Sequence, residues 1–273
     1  LAGVHFGEQV NGISFLDIST GEFFVAQGDH EYTDKLLQTF QPAEVVFQKG
    51  RQAELGEQLG KRFYTYGLDP WIFDYRYAEE ALLRHFGTYS LKGYGIEDME
   101  EGIVAAGAVL HYLGDTVHPN TSHIASIHRI NRDEYLWMDQ FTIRNLELIY
   151  AGVDGGATLL KTIDSTVSPM GARLMRRWVL MPLVQKEQIE ERATLVAAIL
   201  ANREWKAAVL QNIKQCGDIE RLVSKIPSRK IGPREMLQLA NGLEQVRLIK
   251  IAVGDLNDPY LFRLAENLTG CSI

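Results

Sequence analysis

Gly12-Ile13-Ser14-Phe15-Leu16-Asp17-Ile18-Ser19-Thr20-Gly21-Glu22-Phe23-Phe24-Val25-Ala26 is the stretch whose reading decides the fold of the first hundred residues. Residues 12–18 are rich in the β-branched and aromatic side chains that suit a pleated surface, and residues 22–26 read as the strand that returns beside them. Ser19-Thr20-Gly21 supplies turn chemistry, so the pair is a hairpin with a three-residue connection. Upstream, Leu1-Ala2-Gly3-Val4 also reads as a strand. Downstream, residues 32–40 carry Leu36, Leu37 and Phe40 at helical spacing. Ala43-Glu44-Val45-Val46-Phe47, behind Pro42, is a further strand. This order predicts a mixed sheet with helices packed on it.

From about residue 102 the pattern turns helical. Residues 103–113 form an apolar, alanine-rich helix expected to bridge the two parts. Short strand-like pieces follow at 124–130 and 134–138, then helices at 142–149, 170–179, 186–201, 204–215 and 219–225. The last long helix opens on Ile231-Gly232-Pro233, where the missing N–H of proline is harmless. Met236, Leu237, Leu239, Ala240, Leu243, Val246, Leu248, Ile249 and Val253 predict a broad buried face, and Gly254 a stop. The expected organisation is therefore a multi-domain chain, an α/β domain at 1–101 followed by an all-α domain at 102–273.

Composition fits a globular protein of 273 residues, 46% hydrophobic and 23% charged. Cys216 and Cys271 stand far apart and outside any CxxC spacing, which argues against a disulfide framework or a zinc ribbon and points to a reducing cytoplasm. No apolar run reaches the roughly 18 residues of a membrane span. The chain opens on Leu1, not Met, and is expected to begin partway through a larger protein. Residues 1–101 hold eight Lys and Arg against 17 Asp and Glu, a net −9, whereas the remainder is +2. Neither part has the charge of a strong DNA-binding surface.

Several stretches invite a chemical reading. Gly155-Gly156-Ala157-Thr158-Leu159-Leu160-Lys161-Thr162 resembles a phosphate loop, but that loop needs Gly directly before Lys, where Leu160 stands. It reads as a plain loop entering a helix. His118, His123 and His128 are spaced by five, unlike the i, i+4 pairs of helical metal sites, and read as ordinary surface histidines. Asp17, Glu22, Glu44 and Asp74 fall in or beside the elements of the first part. Carboxylates so placed hold two metal ions in RNase H-like nucleases, and a nuclease using Asp17, Glu22 and Asp74 is the rival function. The alternative is that Asp17 leads into the turn and satisfies loop N–H groups. Arg173, Arg176 and Arg177 surround Trp178, and Lys225, Arg229, Lys230 and Arg234 form a second basic group. Nucleic-acid contact is one reading; surface ion pairing and helix C-terminal compensation is the preferred one.

The helical part carries a run of motifs that resembles the MutS family. Met138-Asp139 and then Thr142-Ile143-Arg144-Asn145-Leu146-Glu147-Leu148 is similar to the family's RNLEL helix. Thr158-Leu159-Leu160 and Ile163-Asp164-Ser165-Thr166-Val167-Ser168-Pro169-Met170-Gly171-Ala172-Arg173-Leu174 follow in the family's order, then Arg176-Arg177-Trp178 and Pro182-Leu183. Gly217-Asp218-Ile219-Glu220-Arg221 and Pro233-Arg234-Glu235 are further signposts. In the first part, Leu16-Asp17-Ile18-Ser19-Thr20-Gly21-Glu22-Phe23 looks like the start of the family's connector, and Gly93-Tyr94-Gly95 with Ala105-Ala106-Gly107 like its join to the core. Ala157 and Ser168 depart from the usual residues without disturbing the motif order.

The resemblance implies an RNase H-like connector without nuclease function, then the first portion of a helical core with a long lever helix. It implies no catalytic, cofactor or metal residue in this chain, and no enzyme activity of its own. The family's Phe-x-Glu wedge, DNA clamp and phosphate loop would lie outside it. The parent is expected to be a dimeric clamp on mismatched DNA that uses ATP and Mg and works with MutL, with no membrane contact. The motif residues Arg144, Asn145, Asp164, Pro169, Gly171, Arg173 and Trp178 have packing roles. Asp164 and Ser165 cap a helix or turn, Pro169 starts a helix, and Gly171 lets a neighbouring helix approach. Trp178, Leu174 and Met175 are expected to supply core area. The helix at 77–86 is a candidate MutL contact through an acidic exposed face, with Glu79, Glu80 and Arg84; the alternative is a solvated surface helix.

Overall fold

The computed structural model describes residues 1–59, 63–116, 121–227, 229–254 and 259–268. Two compact units divide the chain. The first comprises Leu1–Arg132 with Ile226–Arg229, the second Asp133–Lys225 with Lys230–Ile273.

The first unit is a mixed sheet of six strands in the order β5-β4-β1-β2-β3-β6. These are β1 (Ala2–Phe6), β2 (Asn11–Leu16), β3 (Phe23–Gly28), β4 (Glu44–Gln48), β5 (Tyr64–Leu68) and β6 (His128–Arg129). The three strands β1, β2 and β3 pair antiparallel, while β1/β4, β4/β5 and β3/β6 pair parallel. Every residue of β2 is buried, as the central position of the strand demands. The expected hairpin is present with Leu16 opposite Phe23, so its connection is longer than Ser19-Thr20-Gly21. Asp17 accounts for the difference: Oδ1 accepts from Ser19 N (2.8 Å) and Ser19 Oγ (2.7 Å), and Gly21 closes the turn at φ 79°.

Helices cover both faces of the sheet. On one face lies α1 (His30–Phe40), capped by Asp29, with Leu36 and Leu37 buried and Phe40 stacked on Phe15 at 4.2 Å. After α2 (Gln52–Leu59) and α3 (Tyr75–Phe86), α4 (Glu100–Thr116) crosses the other face. Ser14 Oγ donates to the Ala105 carbonyl (2.9 Å), and a Cβ at Gly3 would stand 2.5 Å from that same oxygen. The far side of α4 is closed by α3, where a Cβ at Gly107 would lie 2.5 Å from the Ala78 Cβ. A helix caught between a sheet and another helix is apolar all round, and Gly102 through Val109 are all buried. For the same reason α4 is no bridge. It is the middle layer of the first unit, which runs on to Arg132 instead of ending at residue 101.

The strand expected over 124–130 shrinks to β6. Ile124 and Ile127 are instead core anchors three residues apart in a segment without regular structure. Residues 134–138 form no strand either. Tyr135 makes one antiparallel bridge with Leu183, flanked by Leu136 N→Pro182 O (2.8 Å) and Val184 N→Glu134 O (3.1 Å).

The second unit is helical: α5 (Gln140–Asn145), α6 (Leu159–Ile163), α7 (Pro169–Leu180), α8 (Lys186–Ala201), α9 (Arg203–Cys216), α10 (Ile219–Val223), α11 (Pro233–Gly254) and α12 (Pro259–Asn267). At 1.5 Å per residue, α11 is a rod of about 33 Å. It packs on α9 most closely at Gly242, where a Cβ would meet the Cys216 carbonyl at 2.6 Å. The broad buried face expected for α11 is only partly realised. Leu239 and Val253 are buried, whereas Met236, Ala240, Leu237 (64% exposed) and Ile251 face solvent, because α9, α10 and α12 cover a single stripe of the rod.

Near its end α11 is tied by Trp205, whose Nε1 donates to the Ala252 carbonyl (2.7 Å). Around this bond Val253, Leu261 and Ala265 form a small core with Leu195, Trp205 and Ile249. Trp205→Phe keeps an aromatic ring but loses the N–H and part of the packed area, so stability is expected to fall by about 1 kcal/mol or more. A shift in the urea midpoint measures it; an unchanged midpoint would show that water replaces the donor freely.

Candidate functional site

Three of the four carboxylates singled out for metal chemistry hold structural elements, and the fourth, Glu22, lies in the hairpin turn. Asp17 holds the hairpin turn, Asp74 caps α3 by accepting from Tyr77 N (3.0 Å), and Glu44 accepts from Tyr112 O–H (2.8 Å). Burial and that Glu44 contact push the Tyr112 phenol up to about 12. No group of three or more His, Cys, Asp or Glu that could hold a metal occurs among the described residues. Nothing in the geometry supports the nuclease.

The glycine-containing stretch at 155–162 is a loop running into α6. Thr158 caps that helix by accepting from Lys161 N (3.1 Å), and the N–H groups of Leu159 and Leu160 go to the carbonyls of Glu147 and Leu148. Amides used in this way are not turned toward a phosphate. Of the three close histidines, His118 lies outside the described residues. His123 is half-buried, and its Nε2–H donates to the Ile18 carbonyl (2.9 Å), which ties the loop to the sheet; it is not a free surface residue. His128 is exposed and contacts Ser126 Oγ (2.9 Å).

In the second unit the motif residues hold the fold. Asp139 caps α5 by accepting from Thr142 N (2.7 Å). The helix stops at Asn145, short of the expected 149, because Glu147 turns left-handed at φ 49° and its carboxylate accepts from Gly152 N (2.7 Å). Arg144 and Asn145 are exposed on α5, while Ile143 and Leu148 are buried. Asp164 Oδ1 accepts from Thr166 N (2.9 Å) and Thr166 Oγ1 (2.6 Å), and those bonds hold its carboxyl below the usual range. Ser168 caps α7 through Gly171 N (3.1 Å), with Pro169 in the first turn. Gly171 faces its own cap, since a Cβ there would meet Ser168 Oγ at 3.1 Å and Thr166 Cβ at 3.4 Å. The close helix approach expected there occurs at Gly242 instead.

Trp178 and Leu174 are not core. Trp178 is 42% exposed and carries the Arg192 guanidinium 3.8 Å over its ring, a cation–π contact on the surface. Arg173 is the centre of the unit's strongest polar cluster. Its two terminal nitrogens meet both Asp218 oxygens (2.9 and 2.7 Å), and Nη2 also meets Glu220 (2.5 Å). The Arg173 bonds hold the Asp218 carboxyl below its ordinary value, and the Asp218 contact raises the guanidinium. Two motifs read as separate signposts are thus one contact, 45 residues apart in sequence. In the second basic group, Lys225 pairs with Glu235 (2.5 Å). Ion pairing thus accounts for Arg173 in the first group and Lys225 in the second.

The remaining candidate surface is α3. It is capped by Asp74 and ends at Gly87, left-handed at φ 61°. Glu79 is half-buried and accepts from Tyr75 O–H (3.1 Å), so the exposed charges are Arg76, Glu80 and Arg84. This face is not the acidic one expected. A cleft of about 300 Å³ runs between α3 and α4, lined by Tyr77, Ala81, Arg84, His85, Leu110 and His111. His111 Nε2 lies 3.2 Å from Asp115 Oδ2 and Nδ1 lies 2.6 Å from Tyr77 O–H. The phenol therefore donates to Nδ1 while Nε2–H donates to the carboxylate. Trp71, 56% exposed, sits edge-on to both Tyr77 (4.9 Å) and His111 (5.3 Å). None of Trp71, His111 and Asp115 stands out in the sequence, because they come together only when α4 lies beside α3.

In both units, charged side chains such as Asp17, Arg173 and Asp218 hold elements of the fold together. The family model for MutS domain II matches residues 1–125, and that for MutS domain III matches residues 141–269. The chain is 46% identical over 271 residues to the DNA mismatch repair protein MutS of Cytophaga hutchinsonii, covering 99% of this chain and 32% of that protein. It is 47% identical over 273 residues to that of Christiangramia forsetii, covering 100% of this chain and 31% of the relative. The chain belongs to the MutS family of DNA mismatch repair proteins. It spans about a third of the length of these curated relatives.

Proposed function

We propose that this chain is the coupling segment of a mismatch-recognition ATPase, joining its DNA-reading and nucleotide-binding ends and making or breaking no bond itself. The observation that carries this reading is the use of Arg173, Asp218 and Glu220 to lock α7 to α10 beside the long rod α11. Rigid elements held by charge-assisted bonds transmit a displacement instead of absorbing it. On this reading ATP and Mg, homodimer formation and cytoplasmic mismatched DNA belong to the whole parent protein. The chain alone binds no nucleotide. No helix among the described residues is long and apolar enough to cross a membrane.

The DNA affinity of the isolated chain tests the reading. With a net charge of −7 opposing the phosphate backbone, binding to a mismatched duplex is expected to be weaker than about 1 µM at physiological salt, with a shallow salt dependence because few counterions are released. Fluorescence anisotropy measures this directly, and nanomolar, mismatch-selective binding would sink the proposal. We further propose that α3 docks MutL, with Glu79, Glu80 and Arg84 at or near the contact. Absence of any association with purified MutL at high micromolar concentration would remove that part.

A further inference from the structure

Between residues 1 and 132, Lys35, Lys49, Arg51, Lys92, Arg129 and Arg132 are each within an ion pair. Among the described cations of that stretch, Arg76 and Arg84 are the two without one, and both are exposed on α3. This is unexpected where acids outnumber bases about two to one through residue 101. Glu80 stands one turn from each and pairs with neither. Eight residues of helix set the two Cα atoms about 12 Å apart along the axis and about 80° apart around it, an offset the long arginine side chains can span. Beside them Arg84 opens onto the cleft, and Trp71, Tyr77 and His111 form an ordered aromatic cluster. An exposed Trp and Arg with a half-buried Tyr, grouped at a cleft, are the residue types that anchor protein partners.

We infer that the Arg76–Arg84 face of α3 binds an acidic peptide segment of a partner protein. Two carboxylates meet the two arginines, and an apolar side chain between them rests on the Trp71–Tyr77–His111 cluster. An extended peptide rises about 3.3 Å per residue, so acids four residues apart match the 12 Å span. Carboxylates also suit the planar guanidinium, which takes them two oxygens at a time. The inference builds on the docking reading of α3 and supplies the chemistry of the docked segment.

The probe is a fluorescein-labelled octapeptide with Glu at its second and sixth positions, Phe at the fourth and Ser elsewhere, titrated against the whole 273-residue chain. Saturable binding below millimolar concentration is expected, at least tenfold weaker for the twin peptide with Gln in place of Glu. Arg84→Ala and Arg76→Ala should each weaken it about fivefold or more; both side chains are exposed, and an unchanged circular-dichroism melt would confirm that the fold is kept. Equal affinity for the Gln twin, no binding at millimolar peptide, or equal competition by a thymidine octanucleotide would each overturn the inference. MutL is absent from this titration. Its failure to associate would remove MutL as the partner and leave the peptide result standing, while MutL binding without peptide binding would place the docking site elsewhere.

Discussion

Gly12→Ala is expected to be the most damaging methyl group that can be added to the first unit, lowering its stability by about 3 kcal/mol or preventing it from folding. A Cβ at Gly12 would lie 1.7 Å from the Glu101 carbonyl oxygen, 2.0 Å from its carbon and 2.6 Å from Gly102 N. All three are backbone atoms at the start of α4, so no side-chain rotation relieves the clash. The helix itself must move, and it is pinned on the other side by the Gly107–Ala78 contact and along its length by the Ser14–Ala105 bond. Gly56→Ala is the control. Gly56 lies inside α2 with nothing within 4 Å of the added Cβ, so alanine there should stabilise by about 0.5–1 kcal/mol through helix propensity alone. Urea unfolding of both variants, with amide exchange to locate the unit that opens, separates the cases. A Gly12→Ala midpoint equal to that of the parent chain would mean that α4 does not lie against β2 as described.

The same contact explains what could be read from the residues beforehand and what could not. β2, β3 and β4 were legible because each is a run of β-branched and aromatic residues punctuated by turn chemistry. β5 was not, since Tyr64-Thr65-Tyr66-Gly67-Leu68 is an edge strand with Tyr64 70% exposed, and an edge leaves no apolar pattern. α2 and α12 also went unseen, short helices without a long apolar stripe. α4 is legible as a helix, but its place as the middle layer is not. Burial on two sides and burial between two bodies give one and the same alanine-rich sequence, and only Gly3, Gly12 and Gly107, on three different elements, distinguish them. The family motifs were legible by their order. Their physical content was less so: the expected core residue Trp178 is on the surface, and the role foreseen for Gly171 belongs to Gly242. Spacing reports neighbours along one element and is silent about partners such as Arg173 and Asp218, which meet across the chain.

That pair supplies the other large expected effect. Arg173→Ala removes a guanidinium that engages both oxygens of Asp218, and leaves two carboxylates side by side with the Asp218 side chain only 18% exposed. Losing one partner of a mostly buried pair costs about 3 kcal/mol or more, reduced here to about 2–3 kcal/mol because Glu220 is 40% exposed and screened by water. Arg173→Lys keeps the charge but not the fork, and should fall roughly midway. The pH dependence identifies the cause. Arg173 depresses the folded carboxyl of Asp218 below its unfolded value near 3.8, so this stabilisation is complete above that pH and is lost as pH falls through the lower, folded value. In Arg173→Ala the largest cause of the depression is gone, only the Arg221 amide and guanidinium remaining, and with it most of that acid sensitivity. The stability gap between parent and variant should therefore be widest near pH 7 and should narrow below pH 4, read as converging urea midpoints. A gap of constant size down to pH 2 would mean that packing of the arginine stem, and not its pairing with Asp218, holds α7 to α10.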